Sequence, residues 1–168
     1  IQGSDAPIGD LSFLSGMTGL QDLYIYGVFE ELTLPDLSGL TQLTMLQIYP
    51  STDYVLPEVD LSPLQRVTSL QSLTLNENTT ALDLTPLAGM TEMRELTLNS
   101  ESTAPMDLSP LSGMTSMQSL SIRGNIQSTA PLLGMADMQT LSLSNNDNTL
   151  TDLSGLANMS KVQELRLS

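Results

Sequence analysis

Apolar residues recur along the chain in a fixed order that is repeated about every 24 residues. In one copy, Met114, Met117, Leu120 and Ile122 follow one another at spacings of three, three and two residues. A spacing of three predicts a short 3₁₀ or α-helical turn with one buried face. The closing Leu-x-Leu alternation predicts a short strand with one buried face. Each repeat is therefore expected to contain one helical turn followed by one strand.

Seven copies of this pattern fill the chain. Their first residues are Asp10, Asp36, Asp60, Asp83, Asp107, Ser128 and Asp152. Successive starts lie 26, 24, 23, 24, 21 and 24 residues apart, and a repeat of this length is typical of stacked, solenoid architectures. One copy cannot bury its own apolar face, so neighbours must cover it. We expect residues 1–168 to form a single domain of about seven units, part of a longer chain or an assembly.

The repeats resemble those of the leucine-rich-repeat family, whose pattern is Leu-x-x-Leu-x-Leu-x-x-Asn. The opening Asp-Leu-Ser-Pro-Leu at 60–64 and 107–111 is similar to bacterial internalin-type repeats, and the resemblance covers about residues 8–168. It implies an α/β solenoid with a curved parallel β-sheet on its concave side and short 3₁₀ or α turns on its convex side. It also implies a protein- or glycan-binding module that is secreted or displayed on the cell surface.

The asparagine of the family pattern is only partly kept. It is present as Asn78, Asn125 and Asn146, whereas Val28, Ser51 and Glu101 stand at equivalent positions. A buried asparagine there normally hydrogen-bonds the backbone of the turn. Its loss predicts irregular turns in those three units.

The six opening aspartates are predicted to be N-caps of the helical turns, because an Asp carboxylate at that position accepts a backbone N–H. A ladder of cation ligands is the alternative. Carboxylates aligned about 4.8 Å apart on neighbouring units repel one another unless each is satisfied locally. Capping is therefore the favoured interpretation, and no metal or cofactor is expected.

Strand residues that alternate with the buried leucines are expected to face the concave side. On the first two strands they form the predicted ligand-binding set: Asp22, Tyr24, Tyr26, Met45, Gln47 and Tyr49. Tyrosine is enriched at interface hot spots, although its high strand propensity explains the same pattern without any ligand. Irregular segments at 27–35 and 50–59 flank this set. The later strands offer small polar residues instead.

The composition narrows the function. The chain has 5 basic and 19 acidic residues, a net charge of -14, which disfavours nucleic acid and anionic lipid as partners. It contains no Cys and no His, so thiol chemistry and the commonest general base are missing. No apolar run reaches the roughly 18–20 residues of a membrane span. Glycoside cleavage needs only two carboxylates, but Asp22, Glu95 and Glu164 are predicted to lie several units apart, and we expect no enzyme.

The sequence also supports an alternative function, namely a structural subunit. The chain closes on Leu165-Arg166-Leu167-Ser168, the predicted strand of the seventh unit. An uncovered terminal unit exposes a strand edge and apolar side chains. Head-to-tail contact through such ends produces an open filament or sheath if it does not close.

Overall fold

The seven repeats form one parallel sheet. The structure, a computed structural model, describes residues 10–28, 32–50, 59–78, 82–145 and 150–168. The strands are β1 (Asp22–Gly27), β2 (Met45–Pro50), β3 (Ser72–Asn78), β4 (Glu95–Ser100), β5 (Ser119–Gly124), β6 (Thr140–Asn145) and β7 (Glu164–Leu167). They lie side by side in chain order. We call the repeats coils 1 to 7, numbered by the strand that each contains.

Short 3₁₀ turns precede six of the strands. They span Ser12–Gly16, Ser62–Leu64, Thr85–Leu87, Ser109–Gly113, Ala130–Leu132 and Ser154–Leu156. A parallel sheet on one side and short 3₁₀ turns on the other make a leucine-rich-repeat solenoid, which confirms the predicted fold class. No helix in the described part of the chain is long and apolar enough to cross a membrane.

The core consists of aliphatic side chains stacked in rows along the solenoid axis. Within the sheet, Leu75 pairs in register with Leu98, Leu98 with Ile122, and Ile122 with Leu143. These four side chains are at most 1% exposed, and burying each stabilises the fold by about 1.5–3 kcal/mol. The methionines at the period-three positions are also buried, for example Met117 at 0% exposed. The predicted burial of each unit's apolar face against its neighbours is therefore confirmed. We call these stacked rows the leucine ladder.

The opening aspartates hydrogen-bond the turns but lie one residue earlier than predicted. The carboxylate of Asp60 accepts the backbone N–H of Ser62 at 2.8 Å, while the N-cap position itself is taken by Leu61. The same contact, at 2.8–2.9 Å, is made by Asp10, Asp36, Asp83, Asp107 and Asp152. Each aspartate therefore forms an Asx turn, which leads into a 3₁₀ turn in every case except Asp36. The strict N-cap assignment was wrong by one position.

The aspartate contacts also change the acidity of these groups. Hydrogen bonds to the ionised carboxylate lower its pKa. The backbone N–H two residues on is the main cause at Asp10, Asp36 and Asp60, and the side-chain hydroxyl two residues on is the main cause at Asp83 and Asp107. In the described residues, no three acidic side chains are grouped so that they could hold a metal ion.

Asn125 follows the prediction for the asparagine position, and the side chains of Asn78 and Asn146 lie outside the described part of the structure. Asn125 is 6% exposed and donates from Nδ2 to the carbonyl of Thr103 at 2.6 Å. Asn146 lies outside the described residues. Its neighbour Asn145 donates to the carbonyl of Ile126 at 3.0 Å and accepts the N–H of the same residue at 3.3 Å. An asparagine amide thus bridges the turns of coils 5 and 6.

The pairing between β3 and β4 is irregular beside Glu101, one of the three positions that lack the asparagine. The register between β3 and β4 shifts after Leu75, so that Asn78 pairs with Ser100 and not with Glu101. Ser100 is 1% exposed, and its hydroxyl accepts the N–H of Ser102 at 3.2 Å. The serine therefore replaces the asparagine at the buried turn position. Glu101 remains exposed and pairs with Arg123 at 3.4 Å.

At coil 7, the stacked rows of aliphatic side chains are exposed to solvent. Leu165 and Leu167 are 52% and 43% exposed, although the residues with which they pair on β6, Leu141 and Leu143, are buried. A pocket of about 240 Å³ adjoins them, lined by Asn145, Leu150, Leu153, Leu167 and Ser168. Among the described strands, only β6 pairs with β7.

Candidate binding surface

Strands β1 and β2 bring all six residues of the predicted set onto one face of the sheet. Their register pairs Asp22 with Met45, Tyr24 with Gln47 and Tyr26 with Tyr49. These residues alternate with buried ones such as Leu23 and Ile25, so their side chains point away from the core. We call this set the tyrosine face.

The three tyrosine rings are parallel and in contact. The ring centroids of Tyr26 and Tyr49 lie 5.1 Å apart with 3° between their planes, and those of Tyr24 and Tyr26 lie 6.3 Å apart with 8°. Offset parallel rings at such separations attract each other by about 0.5–1.5 kcal/mol. The Tyr24 hydroxyl donates to Sδ of Met45 at 3.0 Å. The in-register pairing of β1 with β2 thus holds the rings as one cluster.

The cluster is accessible and already ordered. Tyr24 and Tyr26 remain 37% and 39% exposed, so a partner can still cover much of each ring. Because the rings restrain one another, less side-chain entropy is lost when a partner binds. The sequence pattern predicted the membership of this cluster, but the ring contacts follow from the register and could not be predicted from spacing.

From β3 onward, the outward-facing side chains of the sheet are polar, and the first two on β3 are nearly buried. Ser72 and Thr74 are 7% and 8% exposed, so the surface recedes beside the tyrosines. Farther along, Asn99 donates from Nδ2 to Oδ1 of Asn76 at 2.8 Å, which continues the row of Tyr26 and Tyr49 with short amides. Residues 51–58, most of one predicted flanking segment, and 29–31 of the other lie outside the described residues.

The charges on the face are unevenly placed. Strands β1 to β4 contain no Lys or Arg. On β5 and β7, Arg123 and Arg166 pair with Glu101 and Glu164 at 3.4 and 2.6 Å. Asp22 is exposed beside the tyrosines. The tyrosine face therefore combines aromatic surface with negative charge.

The backbone positions of two acidic residues on the face are farther apart than the carboxylates of a glycosidase pair. Asp22 and Glu95 lie in the same row but three strands apart, roughly 14 Å at about 4.8 Å per strand. Catalytic pairs in glycoside hydrolases are at most about 9.5 Å apart. This spacing agrees with the expectation that the chain is not an enzyme, which stays a prediction.

The sheet, the 3₁₀ turns and the buried ladder place the protein among the leucine-rich-repeat solenoids. Solved structures with the same fold are internalins and other leucine-rich-repeat proteins. An internalin (inlF) from Listeria monocytogenes is 24% identical, with a TM-score of 0.70 over 96% of this chain and 52% of its own. Internalin C2 (inlC2) from the same species is 25% identical, with a TM-score of 0.60 over 88% of this chain and 66% of its own.

More distant bacterial proteins share the fold as well. A leucine-rich-repeat protein of Leptospira interrogans is 14% identical, with a TM-score of 0.58 over 90% of this chain and 50% of its own. The chain thus spans between half and two thirds of these three proteins. No family model matches the sequence, and a search of curated proteins returns no match to it. The structural neighbours confirm the resemblance to internalin-type leucine-rich repeats.

Proposed function

We propose that the chain is a non-catalytic recognition module that binds another protein through the tyrosine face. The observation that supports this most is the preordered cluster of Tyr24, Tyr26 and Tyr49, which is accessible at its centre and bordered by polar residues. Interface hot spots have this composition, a rigid aromatic centre within a polar rim. The fold supports the same class of function, because its structural neighbours are internalins.

The proposal extends to the setting of the module. We propose that residues 1–168 act as one domain of a longer protein that is secreted or displayed at a bacterial surface. The likeness to Listeria internalins supports this.

A peptide-display library tests the binding face and does not require a named partner. Clones are selected on the wild-type chain and then titrated on the triple variant Tyr24→Ala/Tyr26→Ala/Tyr49→Ala. We expect most independent clones to lose at least about tenfold in affinity, since hot-spot truncations commonly exceed that effect. The matched control is Thr97→Ala/Ser121→Ala/Ser142→Ala, which truncates the same face on β4 to β6.

Two outcomes of this selection would count against the proposal. Clones that bind both triple variants equally well would remove the tyrosine face as the site. Circular dichroism of the variants excludes unfolding as the cause of any loss. If no peptide needs the tyrosines but an immobilised glycan does, the ligand is a carbohydrate and the protein partner is wrong.

A second candidate, end-to-end assembly into a filament or sheath, is favoured by the exposed ladder of coil 7. In the described part of the chain, Leu165 and Leu167 are partly exposed and β6 is the one strand that pairs with β7. Such an edge can template pairing with another chain. Light scattering over rising concentrations tests it. Growth that is abolished by Leu165→Thr/Leu167→Thr would support assembly, and a constant monomer mass would contradict it.

A further inference from the structure

We propose that the partner places a cationic side chain, arginine or lysine, between the carboxylate of Asp22 and the ring of Tyr24. This inference rests on the proposed function and adds the chemistry of the partner at that site. It makes Asp22 the residue that selects a basic partner over a neutral one, while the tyrosines supply contact area.

The positions of the two side chains suit such a ligand. Asp22 and Tyr24 lie two residues apart on one strand and face the same side, so their Cα atoms are about 6.6 Å apart. The Tyr24 hydroxyl is bonded to Sδ of Met45, and Met45 is the residue opposite Asp22. The Tyr24 hydroxyl therefore reaches the side chain of the residue that pairs with Asp22.

A cation can satisfy both groups at once. It is attracted to an aromatic ring when it lies within about 6 Å of the ring centroid, and its N–H groups reach a carboxylate oxygen at about 2.8 Å. Both distances are compatible with the separation of Asp22 and Tyr24. A neutral side chain at this place would displace water from the carboxylate without a positive charge that compensates for the lost hydration.

The surrounding charges make Asp22 different from Glu95 and Glu164, the acidic residues of β4 and β7. Glu164 pairs with Arg166 at 2.6 Å, and Glu95 accepts from the Ser72 hydroxyl at 3.4 Å. Within the described parts of the chain, the structure shows no ion pair or hydrogen bond to the Asp22 carboxylate. With no basic residue on β1 to β4 and a net charge of -14, the surroundings of Asp22 favour a cationic partner.

Titration of the intact chain with small probes, followed by two-dimensional NMR, tests the inference. The probes are the N-acetyl, N′-methylamide derivatives of arginine and lysine and of citrulline, which has nearly the shape of arginine without the charge. We expect saturable shifts at the amides of Asp22, Tyr24 and Met45 with arginine, lysine or both. Citrulline should bind at least about tenfold more weakly, since the charged contacts to carboxylate and ring are lost.

Two variants localise the effect. Asp22→Asn should weaken binding of the cationic probe by about fivefold or more, because the charge-assisted contact is lost. Glu95→Gln makes the same charge change on the same row, roughly 14 Å away. That is beyond the screening length of about 8 Å in physiological salt, so affinity should change less than twofold.

Citrulline that binds as well as arginine, or an Asp22→Asn variant that binds as well as wild type, would overturn the inference. These failures differ from failure of the proposed function. Peptides that need the tyrosines while the cationic probes ignore Asp22 leave the recognition module in place and remove only the basic partner. Peptides that do not need the tyrosines remove the recognition face regardless of the probes.

Discussion

The same five-residue sequence, Asp-Leu-Ser-Gly-Leu, opens coil 2 at 36–40 and coil 7 at 152–156, and the fold uses the two copies differently. In coil 2, Leu37 is 0% exposed and lies in a row with Leu11 and Leu61, which are 4% and 2% exposed. In coil 7, Leu153 is 46% exposed and lines the pocket beside Leu167. The same local sequence is part of a 3₁₀ turn in coil 7, at Ser154–Leu156, but not in coil 2. The neighbouring coils also decide how much the same residue contributes to stability.

The glycines of the two copies differ even more. A Cβ atom added to Gly39 would have its nearest neighbour at 3.6 Å, the carbonyl oxygen of Ser15, which is ordinary contact. A Cβ atom added to Gly155 would overlap the carbonyl oxygen of Thr129. The cause is in coil 6, where Thr129 takes the place that leucine has in the other coils.

Thr129 is fully buried and draws coil 7 towards it. Its hydroxyl donates to the carbonyl of Asp152 at 3.1 Å and accepts the N–H of Gly155 at 3.1 Å. A buried hydroxyl requires such partners, and they can reach it only if the turn of coil 7 lies close. The close approach to Thr129 therefore leaves no room for a Cβ atom at position 155.

The largest contrast is expected from the leucines. Leu37→Ala should reduce the free energy of unfolding by about 2–5 kcal/mol, because it leaves a cavity between two covered coils. Leu153→Ala should cost only about 1 kcal/mol, since about half of the side chain is already in water. Urea unfolding followed by circular dichroism measures both. Equal losses would mean that Leu153 is covered in solution, for example by another copy of the chain.

A smaller difference in stability is expected between alanine substitutions of the two glycines. Gly155→Ala should destabilise by about 1–3 kcal/mol, the usual cost of forcing an extra carbon into a packed site. Gly39→Ala should stay within about 0.5 kcal/mol of wild type, or gain slightly through a less flexible unfolded chain. Neither glycine has a left-handed backbone, so a difference between them reports packing alone. A Gly155→Ala variant as stable as wild type would contradict the close approach of Thr129.

The features that recur in every coil could be predicted from the sequence. The features that depend on a contact with one particular neighbouring coil could not. The leucine rows, the strand order and the six residues of the tyrosine face follow from period and register, because every coil must present the same residues to the next. The shift that puts Ser100 where Glu101 was expected arises from an irregular pairing between β3 and β4. The fit of Gly155 against Thr129 depends on one atypical coil, and a pattern averaged over seven coils carries no signal for it.

The smallest contrast concerns the aspartates of the two copies, and it is expected to depend on pH. Asp36 accepts from Ser38 alone, whereas Asp152 also accepts the Ser128 hydroxyl at 2.5 Å from the preceding coil. Ser128 is the main cause of the lowered pKa of Asp152, while the backbone N–H of Ser38 is the main cause at Asp36. Asp152→Asn should therefore lower Tm more than Asp36→Asn does at pH 7.

The sign of the pH dependence follows from the direction of the shifts. A carboxyl whose pKa is lower in the folded chain than its ordinary 3.8 adds stability above pH 3.8 and loses it as the pH falls through the folded value. Melting curves at pH 7 and at pH 2–3 should therefore show that the difference in Tm between Asp152→Asn and wild type becomes smaller in acid. The difference in Tm between Asp36→Asn and wild type should also become smaller in acid, and it should already be smaller at pH 7. A gap that stays constant down to pH 2 would mean that Asp152 acts through the shape of its side chain and not through its charge.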